Sequence, residues 1–350
     1  MAEAEETLEQ PLVVEEQGPA RPQPKPRRRR HLIEIITSQL AALRIHHREV
    51  LATEGVEAVH KMRVTTRRLQ ASMDLLEREM KLRKSKNKLR KWRRALSEVR
   101  NYDVFLDLIE KETVSRGRAR RAQLQLVKAI LQERRSRKAT KVRQFLDGID
   151  IDKIARRLGL TPAANVVAVA SVDGVEVSTV TPVTPTVVID EPRVAGYAAE
   201  RLDQRLAEFQ SLVARSHPTN DPAELHQLRI AAKRVRYLLE IVSEIGYGDA
   251  SRALAWLRTL QDRIGDWHDL EALEEEIISI VSNREFMKQN LAESSQMLQA
   301  AAHLQKKKQD LKARLFPVRM PRHLVITSQR ISRALRRSAV NRQPPNPQRP

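Results

Sequence analysis

The chain has 350 residues, with 64 Lys and Arg against 44 Asp and Glu, so its formal charge is +20. It contains no cysteine, which excludes disulfides, thiol catalysis and cysteine-ligated metal sites. Aromatic residues make up only 3% of the chain, which disfavours the stacking platforms that hold single-stranded nucleic acid, whereas the basic excess is typical of a protein with a polyanionic partner.

The first 30 residues combine an acidic stretch with a basic run. Six Glu fall within the first 20 residues, and Pro interrupts the run Arg21–Arg30. Such low-complexity composition predicts a disordered tail, and the same prediction holds for residues 338–350. The N-terminus lacks the apolar core of a secretory signal, and no apolar run is long enough to span a bilayer. We therefore expect a cytoplasmic protein.

Two helical regions follow, at 31–157 and 193–337, and they predict an all-α fold because apolar residues recur in both at spacings of three and four. The predicted helices of the first region span 31–49, 55–81, 85–98, 101–115 and 117–147. Those of the second region span 194–216, 222–245, 249–264, 269–281, 284–314 and 324–337.

The stretch between the two regions, residues 158–192, has a different composition. It contains no Lys or Arg and is rich in Val, Thr, Ala and Pro. Because several prolines disfavour a regular strand and no partner strand is evident, we expect an extended linker. A small hairpin that turns at Asp173-Gly174 is the alternative.

The two helical regions contain matching segments. VHKMRVTTRRLQASMDLL (Val59–Leu76) aligns without gaps on LHQLRIAAKRVRYLLEIV (Leu225–Val242). Farther along, LRKWRRALSEVRNYDV (Leu89–Val104) aligns on LRTLQDRIGDWHDLEA (Leu257–Ala272). Similar motifs at similar separations indicate that one helical unit was duplicated, which predicts two repeats at 31–157 and 193–337.

Each repeated helix has an apolar seam, typical of a helix buried in a bundle. The seam residues are Val59, Met62, Thr66, Leu69, Met73 and Leu76 in the first copy, and Leu225, Leu228, Ala232, Val235, Leu239 and Val242 in the second. One residue further along the chain lies about 100° around the helix, so a second row of side chains flanks each seam. These two basic stripes consist of His60, Arg63, Arg67 and Gln70, and of His226, Arg229, Lys233 and Arg236.

No acidic residue falls at these stripe positions, so we predict that the cations form an unpaired row suited to a polyanion. The alternative is that they pair with acids on neighbouring helices. The segment Arg78–Arg94 adds ten basic residues and one acid. His268 joins the candidates because it aligns with Arg100. The other predicted binding residues are Arg68, Arg90, Arg94, Arg234 and Arg258.

The pattern His-x-x-Arg-[Val/Ile]-x-x-[Arg/Lys]-Arg, present twice, resembles the CHAD family, the conserved-histidine α-helical domains. The resemblance covers roughly residues 31–337 and extends to LQDRIGDWHDL (Leu260–Leu270). The first copy reads Arg100-Asn101-Tyr102-Asp103 there, with Asn where the family usually has Asp. The resemblance implies two four-helix bundles related by pseudo-two-fold symmetry, with basic residues around a central groove or pore. It also implies binding of inorganic polyphosphate, often at intracellular polyphosphate granules.

Many members of this family carry an N-terminal CYTH triphosphatase domain with a Glu-x-Glu-x-Lys motif. Because neither the motif nor space for such a domain precedes His31, we expect a stand-alone binding module without catalytic activity and without a cofactor. Polyphosphate has no bases, so its recognition requires Arg and Lys donors but no stacking platform.

Two other functions stay open at this point. A nucleic-acid-binding protein could use the same basic surface, and a metal-dependent phosphohydrolase is a third candidate. The histidines at the start of the stripes, His60 and His226, are expected to donate to phosphate once a polyanion raises their pKa. Metal ligation is their competing role.

Overall fold

The computed structural model describes residues 31–53, 55–114, 118–160, 168–172, 175–179, 189–216 and 222–340. The predicted tail 1–30 lies outside these residues. The elements in chain order are α1 (Leu32–Thr53), α2 (Val56–Leu75), α3 (Arg83–Val114), α4 (Arg118–Asp147), α5 (Asp152–Arg157), β1 (Ala168–Val172), β2 (Val175–Thr179), α6 (Glu191–Arg215), α7 (Pro222–Ile245), α8 (Ser251–Val281), α9 (Arg284–Gln289), α10 (Leu291–Leu315) and α11 (Arg322–Val340). The predicted all-α class is confirmed.

The first four helices pack in a closed ring. Helix α1 contacts α2, α2 contacts α3, α3 contacts α4, and α4 returns to α1. In the second half, α6, α7, α8 and α11 contact one another in the same cyclic order, while α10 packs on α8 and α4. Each half is therefore a helical bundle, in which every amphipathic helix buries one face. Across the halves, α2 contacts both α6 and α7.

The seams predicted for α2 and α7 lie in the hydrophobic core. All twelve seam residues are at most 2% exposed. Burying a side chain of this size stabilises a fold by roughly 1.5–3 kcal/mol, so the two seams together fix the rotation of α2 and α7 about their axes. This rotation leaves the residues one position further along at the edge of the core.

Helices α3 and α8 are longer than predicted. The sequence analysis predicted breaks near residues 99–100 and 265–268, but both helices continue through these positions. Their second halves remain apolar on one face and enter a second hydrophobic cluster with α4 and α10. This cluster contains Phe105, Ile109, Val127, Leu131, Leu270, Leu273, Ile277, Ile280, Val281, Met297, Ala301 and Leu304. Both halves of the chain thus contribute to the same core, which keeps each long helix intact.

One predicted helix, 284–314, is interrupted. Asn290 separates α9 from α10, and its side-chain amide donates to the Phe286 carbonyl over 3.0 Å. This bond occupies a backbone acceptor of the preceding turn, which is how Asn competes with helix continuation. At the other end of the second half, α11 extends to Val340, three residues into the segment predicted to be a tail.

The segment between the halves contains the hairpin that was the alternative to an open linker. Strands β1 and β2 pair antiparallel, from Ala168 opposite Thr179 to Val172 opposite Val175. The predicted turn at Asp173-Gly174 lies outside the described residues. Helix α6 begins at Glu191, where the Asp190 carboxylate accepts from the Arg193 backbone N–H at 3.2 Å. In the part of the chain described here, no helix has the length and hydropathy needed to cross a membrane.

Candidate functional site

The basic stripes of α2 and α7 face a common cavity of about 880 Å³. Its walls come from α2, α3, α6, α7 and α8, so both halves of the chain contribute. The basic side chains that line it are Arg63, Arg67, Lys86, Arg90, Arg93, Arg201, Arg205, His226, Arg229, Lys233, Arg234 and His268. The two copies of the repeated motif therefore meet at one site rather than forming two separate ones.

Four cations form the centre of this cavity, Arg63 and Arg67 from α2 and Arg229 and Lys233 from α7, and we call them the central cation cluster. Among the described residues, none of the four has a carboxylate within ion-pair distance, and the Nε atoms of Arg63 and Arg229 are buried without a hydrogen-bond partner. Arg67 donates from Nη1 to the hydroxyl of Tyr237 at 2.7 Å. The predicted unpaired row is thus present at these four positions.

The members of the central cation cluster repel one another in a partly desolvated space. Burial, followed by the charges of Arg229 and Arg67, lowers the pKa of Lys233 to about 6. Burial, followed by Arg67 and Arg229, lowers the pKa of Arg63 to about 10. Both shifts disfavour the charged form, and a bound anion would reverse them by supplying the missing negative charge.

The histidines lie beside the cluster in their neutral forms. The rings of His226 and His268 are 5.5 Å apart between centroids and nearly perpendicular. Burial and then Arg229 lower the pKa of both residues, that of His268 to about 4. Partial burial and then Arg100 lower the pKa of His60. The expectation that these histidines need a polyanion to become cationic agrees with these shifts.

Carboxylates occupy a different end of the cavity. The Lys86 ammonium lies 2.5 Å from Asp74 and 3.1 Å from Glu77, and Arg205 lies 3.8 Å from Asp74. Carboxylates therefore neutralise the cations at this end of the cavity, whereas the positive charge of the central cation cluster is not neutralised by an ion pair within the described part of the chain.

The prediction of an unpaired row is wrong for Arg236 of the second-copy stripe, and Arg234, another predicted binding residue, is also paired. Arg234 pairs with Glu208 at 2.9 Å, because the adjacent helix α6 presents that acid. Arg236 pairs with Glu240 at 3.4 Å, one helical turn further along α7. The guanidinium of Arg236 also lies over the Tyr237 ring, 4.7 Å from its centroid.

Other predicted residues lie outside the cavity. Arg68 and Arg258 line a smaller cavity of about 350 Å³, where Arg258 lies 3.6 Å from Glu240. Arg94 is exposed and lines neither of these two cavities. The remaining two, His60 and Arg100, lie at the edge of the central cation cluster and interact electrostatically with each other.

Several cavity residues were missed in the sequence analysis. Arg93 and Ser97 line the cavity together with the predicted Arg90, at spacings of three and four along α3, so helical periodicity from Arg90 selects Arg93 rather than the predicted Arg94. Arg201 and Arg205 on α6 are also one turn apart, but α6 carries no repeated motif that would have indicated them.

The two copies differ in one acidic residue near the cluster. Asp269 on α8 acts electrostatically to raise the pKa of Arg229, although burial lowers it more strongly. The aligned residue of the first copy is Asn101, which is exposed and carries no charge. The first copy therefore supplies no counterpart of Asp269, whose charge acts on Arg229, Lys233 and Arg63. Among the described residues, no three histidines or carboxylates come together in a group that could hold a metal ion.

The fold and the site together define a helical-bundle protein in which cations from both halves line one cavity, an arrangement suited to an anionic ligand. The model of the CHAD domain family matches residues 34–277, so the chain belongs to the CHAD family. A search of curated proteins gave no match.

Two solved structures resemble the fold. The crystal structure of the CHAD domain from the plant Ricinus communis is similar with a TM-score of 0.57 and 19% identity, over 85% of this chain and 95% of that one. PptA from Streptomyces chartreusis is similar with a TM-score of 0.48 and 17% identity, over 87% of this chain and 97% of that one.

Replacing Lys233 with Met is expected to stabilise the fold, because the variant keeps an apolar side chain of similar length and removes a charge that has no partner. The pKa of Lys233 is lower in the folded chain than in the unfolded chain, so the unfolded state binds more protons and wild-type stability rises with pH above about 6. The advantage of the Lys233→Met variant should be largest near pH 6 and shrink towards pH 9. Urea unfolding of both proteins at three pH values measures this. A stability difference independent of pH would contradict the buried, unpaired amine.

Proposed function

We propose that the protein binds inorganic polyphosphate in the cavity between its two halves and does so without chemical conversion. The observation that carries this proposal is the central cation cluster, to which each half contributes two cations without carboxylate partners. The four cations of this cluster are already partly desolvated and already repel one another in the folded protein. A phosphate chain would relieve both, so part of its binding free energy comes from the removal of this strain.

The chemistry of the lining residues fits a phosphate polymer. Ten Arg and Lys side chains surround the cavity together with the three carboxylates Asp74, Glu77 and Glu208. Guanidinium groups offer paired N–H donors to phosphate oxygens, whereas Lys acts as a point charge. Among the described lining residues, Tyr237 is the one Phe, Trp or Tyr, and Arg67 and Arg236 already occupy its hydroxyl and ring. The imidazoles of His226 and His268 pack edge to face on each other, so the wall offers little stacking surface to a base.

Membership of the CHAD family supports the same ligand, and we extend the proposal to association with polyphosphate granules in the cytoplasm. At one end of the cavity the cations are already paired with carboxylates. A bound phosphate chain would therefore contact fewer available cations towards that end. A phosphate chain would bind most tightly at the central cation cluster and more weakly towards Asp74 and Glu77.

Removing one arginine from each half, by Arg63→Ala with Arg229→Ala, is expected to weaken polyphosphate binding by at least about 100-fold. Each lost charge-assisted hydrogen bond to phosphate accounts for about 1.5–3 kcal/mol. The slope of log affinity against log salt should also fall by roughly two, because two fewer counterions are released. Titration of long-chain polyphosphate at several salt concentrations measures both quantities.

The matched control removes the same formal charge from the exterior. Arg137 pairs with Glu133, and Arg336 pairs with Asp203 at 2.7 Å, both on exposed surfaces. The double variant Arg137→Ala with Arg336→Ala should bind nearly as tightly as the wild type. Equal losses of polyphosphate affinity in the two double variants would mean that the overall positive charge of the protein, not the cavity, governs binding.

Polyphosphate is expected to outcompete duplex DNA at physiological salt and equal phosphate concentration, because a flexible chain can enter the cavity and a rigid duplex cannot. Fluorescence anisotropy with labelled polyphosphate and unlabelled duplex measures the displacement. Efficient displacement by the duplex would refute the polyphosphate assignment and favour the nucleic-acid-binding alternative.

Polyphosphate binding is expected to take up protons near pH 7. Lys233, His226 and His268 have lowered pKa values in the free protein, and a polyanion raises them towards their ordinary values. Affinity should therefore fall as the pH rises from about 6 to 8. Calorimetric titrations in two buffers with different ionisation enthalpies give the number of protons, which should be smaller for Lys233→Met. A binding enthalpy that does not depend on the buffer would be inconsistent with this.

A further inference from the structure

The cavity contains two lysines with opposite surroundings. The ammonium of Lys86 lies between the carboxylates of Asp74 and Glu77, at 2.5 and 3.1 Å, which hold its positive charge in place. Lys233 has no carboxylate within ion-pair distance among the described residues. An amine that loses its proton becomes a nucleophile, so the two lysines differ in chemical reactivity as well as in charge.

Charged and titratable groups face Lys233 from three helices. They are Arg63 and Arg67 on α2, His226, Arg229 and Arg236 on α7, and His268 and Asp269 on α8. The one carboxylate of this set, Asp269, has a raised pKa caused mainly by burial, which weakens it as a countercharge. Burial, and after it the neighbouring cations, lower the pKa of Lys233 to about 6, which favours the neutral amine at pH 7.

We propose that Lys233 is a site of covalent acylation by small acyl phosphates, which the arginines of the central cation cluster bind through their phosphate group. This inference rests on the anion-binding cavity of the proposed function and adds a reaction of one residue in it. The arginines supply phosphate donors on α2 and α7, and Lys233 lies among them in the wall of the same 880 Å³ cavity. The cluster would thus hold the electrophilic carbonyl carbon of the acyl phosphate beside the nucleophilic amine of Lys233.

The reaction is a simple acyl transfer. The lone pair of the neutral Lys233 Nζ attacks the carbonyl carbon of the acyl phosphate, and an amide C–N bond forms. The bond between that carbon and the phosphate oxygen breaks, and the oxygen leaves with the electron pair. The proton released from Nζ goes to the departing phosphate, so the products are acyl-lysine and inorganic phosphate. The arginines stay cationic throughout and stabilise the leaving group.

Acylation would change the site in a defined way. It replaces an amine that a polyanion would protonate with a neutral amide, and it fills part of the cavity with the acyl group. Acylated protein should therefore bind polyphosphate less tightly than unmodified protein. Polyphosphate should in turn protect Lys233, since it covers the amine and raises its pKa.

The test incubates the full-length protein with acetyl phosphate at pH 7 and follows acetylation of individual lysines by mass spectrometry. The exposed Lys61 and the paired Lys86 are internal references. An ordinary lysine is neutral in only about one molecule in 2,500 at pH 7, so Lys233 should react at least roughly tenfold faster than either reference. Excess polyphosphate should suppress the reaction at Lys233 and leave Lys61 unchanged. Equal labelling of the three lysines would overturn the proposal, as would labelling of Lys233 that polyphosphate does not affect.

A neutral acylating ester separates the two parts of the proposal. With the ester, the rate at Lys233 should level off above about pH 7, whereas a lysine with an ordinary pKa reacts roughly tenfold faster per pH unit towards pH 9. If neither reagent labels Lys233, the amine is protonated or inaccessible and this inference fails. If the ester labels Lys233 and acetyl phosphate does not, capture of the phosphate group fails.

Polyphosphate titration of the unmodified protein distinguishes these failures from a failure of the proposed function. Tight binding with no acylation would leave the binding function standing and remove only the modification site. The variants Lys233→Arg and Lys233→Gln complete the test. The first keeps a cation and should bind polyphosphate, whereas the second mimics the neutral amide and should bind as weakly as the acetylated protein. Equal binding by the two variants would contradict the expected effect of acylation.

Discussion

The structure depends on the contact between α2 and α7, because it confines positive charges from both halves in one partly desolvated space. Like charges a few ångströms apart cost far more at low effective dielectric than in water. Burial of the two apolar seams offsets this cost, since all twelve seam residues are almost completely inaccessible to solvent. The hydrophobic core therefore fixes where the cations lie, close enough to repel one another.

The site has two parts that differ in their carboxylates, one around Lys86 and one around Lys233. Around Lys86, two acids neutralise the charge, and the lysine serves the structure. Around Lys233, no acid lies within ion-pair distance among the described residues, and the same residue type becomes a weak base. Burial and the lack of a nearby carboxylate among the described residues underlie both anion affinity and amine reactivity, so any substitution that brings a carboxylate to the central cation cluster should reduce both.

The duplicated halves are not equivalent in charge. Asp269 on α8 partly compensates Arg229, whereas the aligned first-copy residue, Asn101, is neutral and exposed. Glu240 pairs with Arg236, while the first-copy stripe has Gln70 at the position aligned with Arg236, and Gln70 accepts from Arg93 at 2.9 Å. A linear ligand in the cavity would therefore meet a more strongly cationic α2 side near Arg63 and a more compensated α7 side.

The sequence by itself determined the all-α class, the two copies of the motif, the buried seams and the placement of the basic stripes, because all of these follow from helical periodicity along a single segment. It could not determine which cations stay unpaired. Glu208 neutralises Arg234 from a different helix, and Arg93 reaches the cavity because α3 packs beside α2. Pairing and pKa depend on distances between segments that are far apart in the chain, and these distances are set only when the helices pack together.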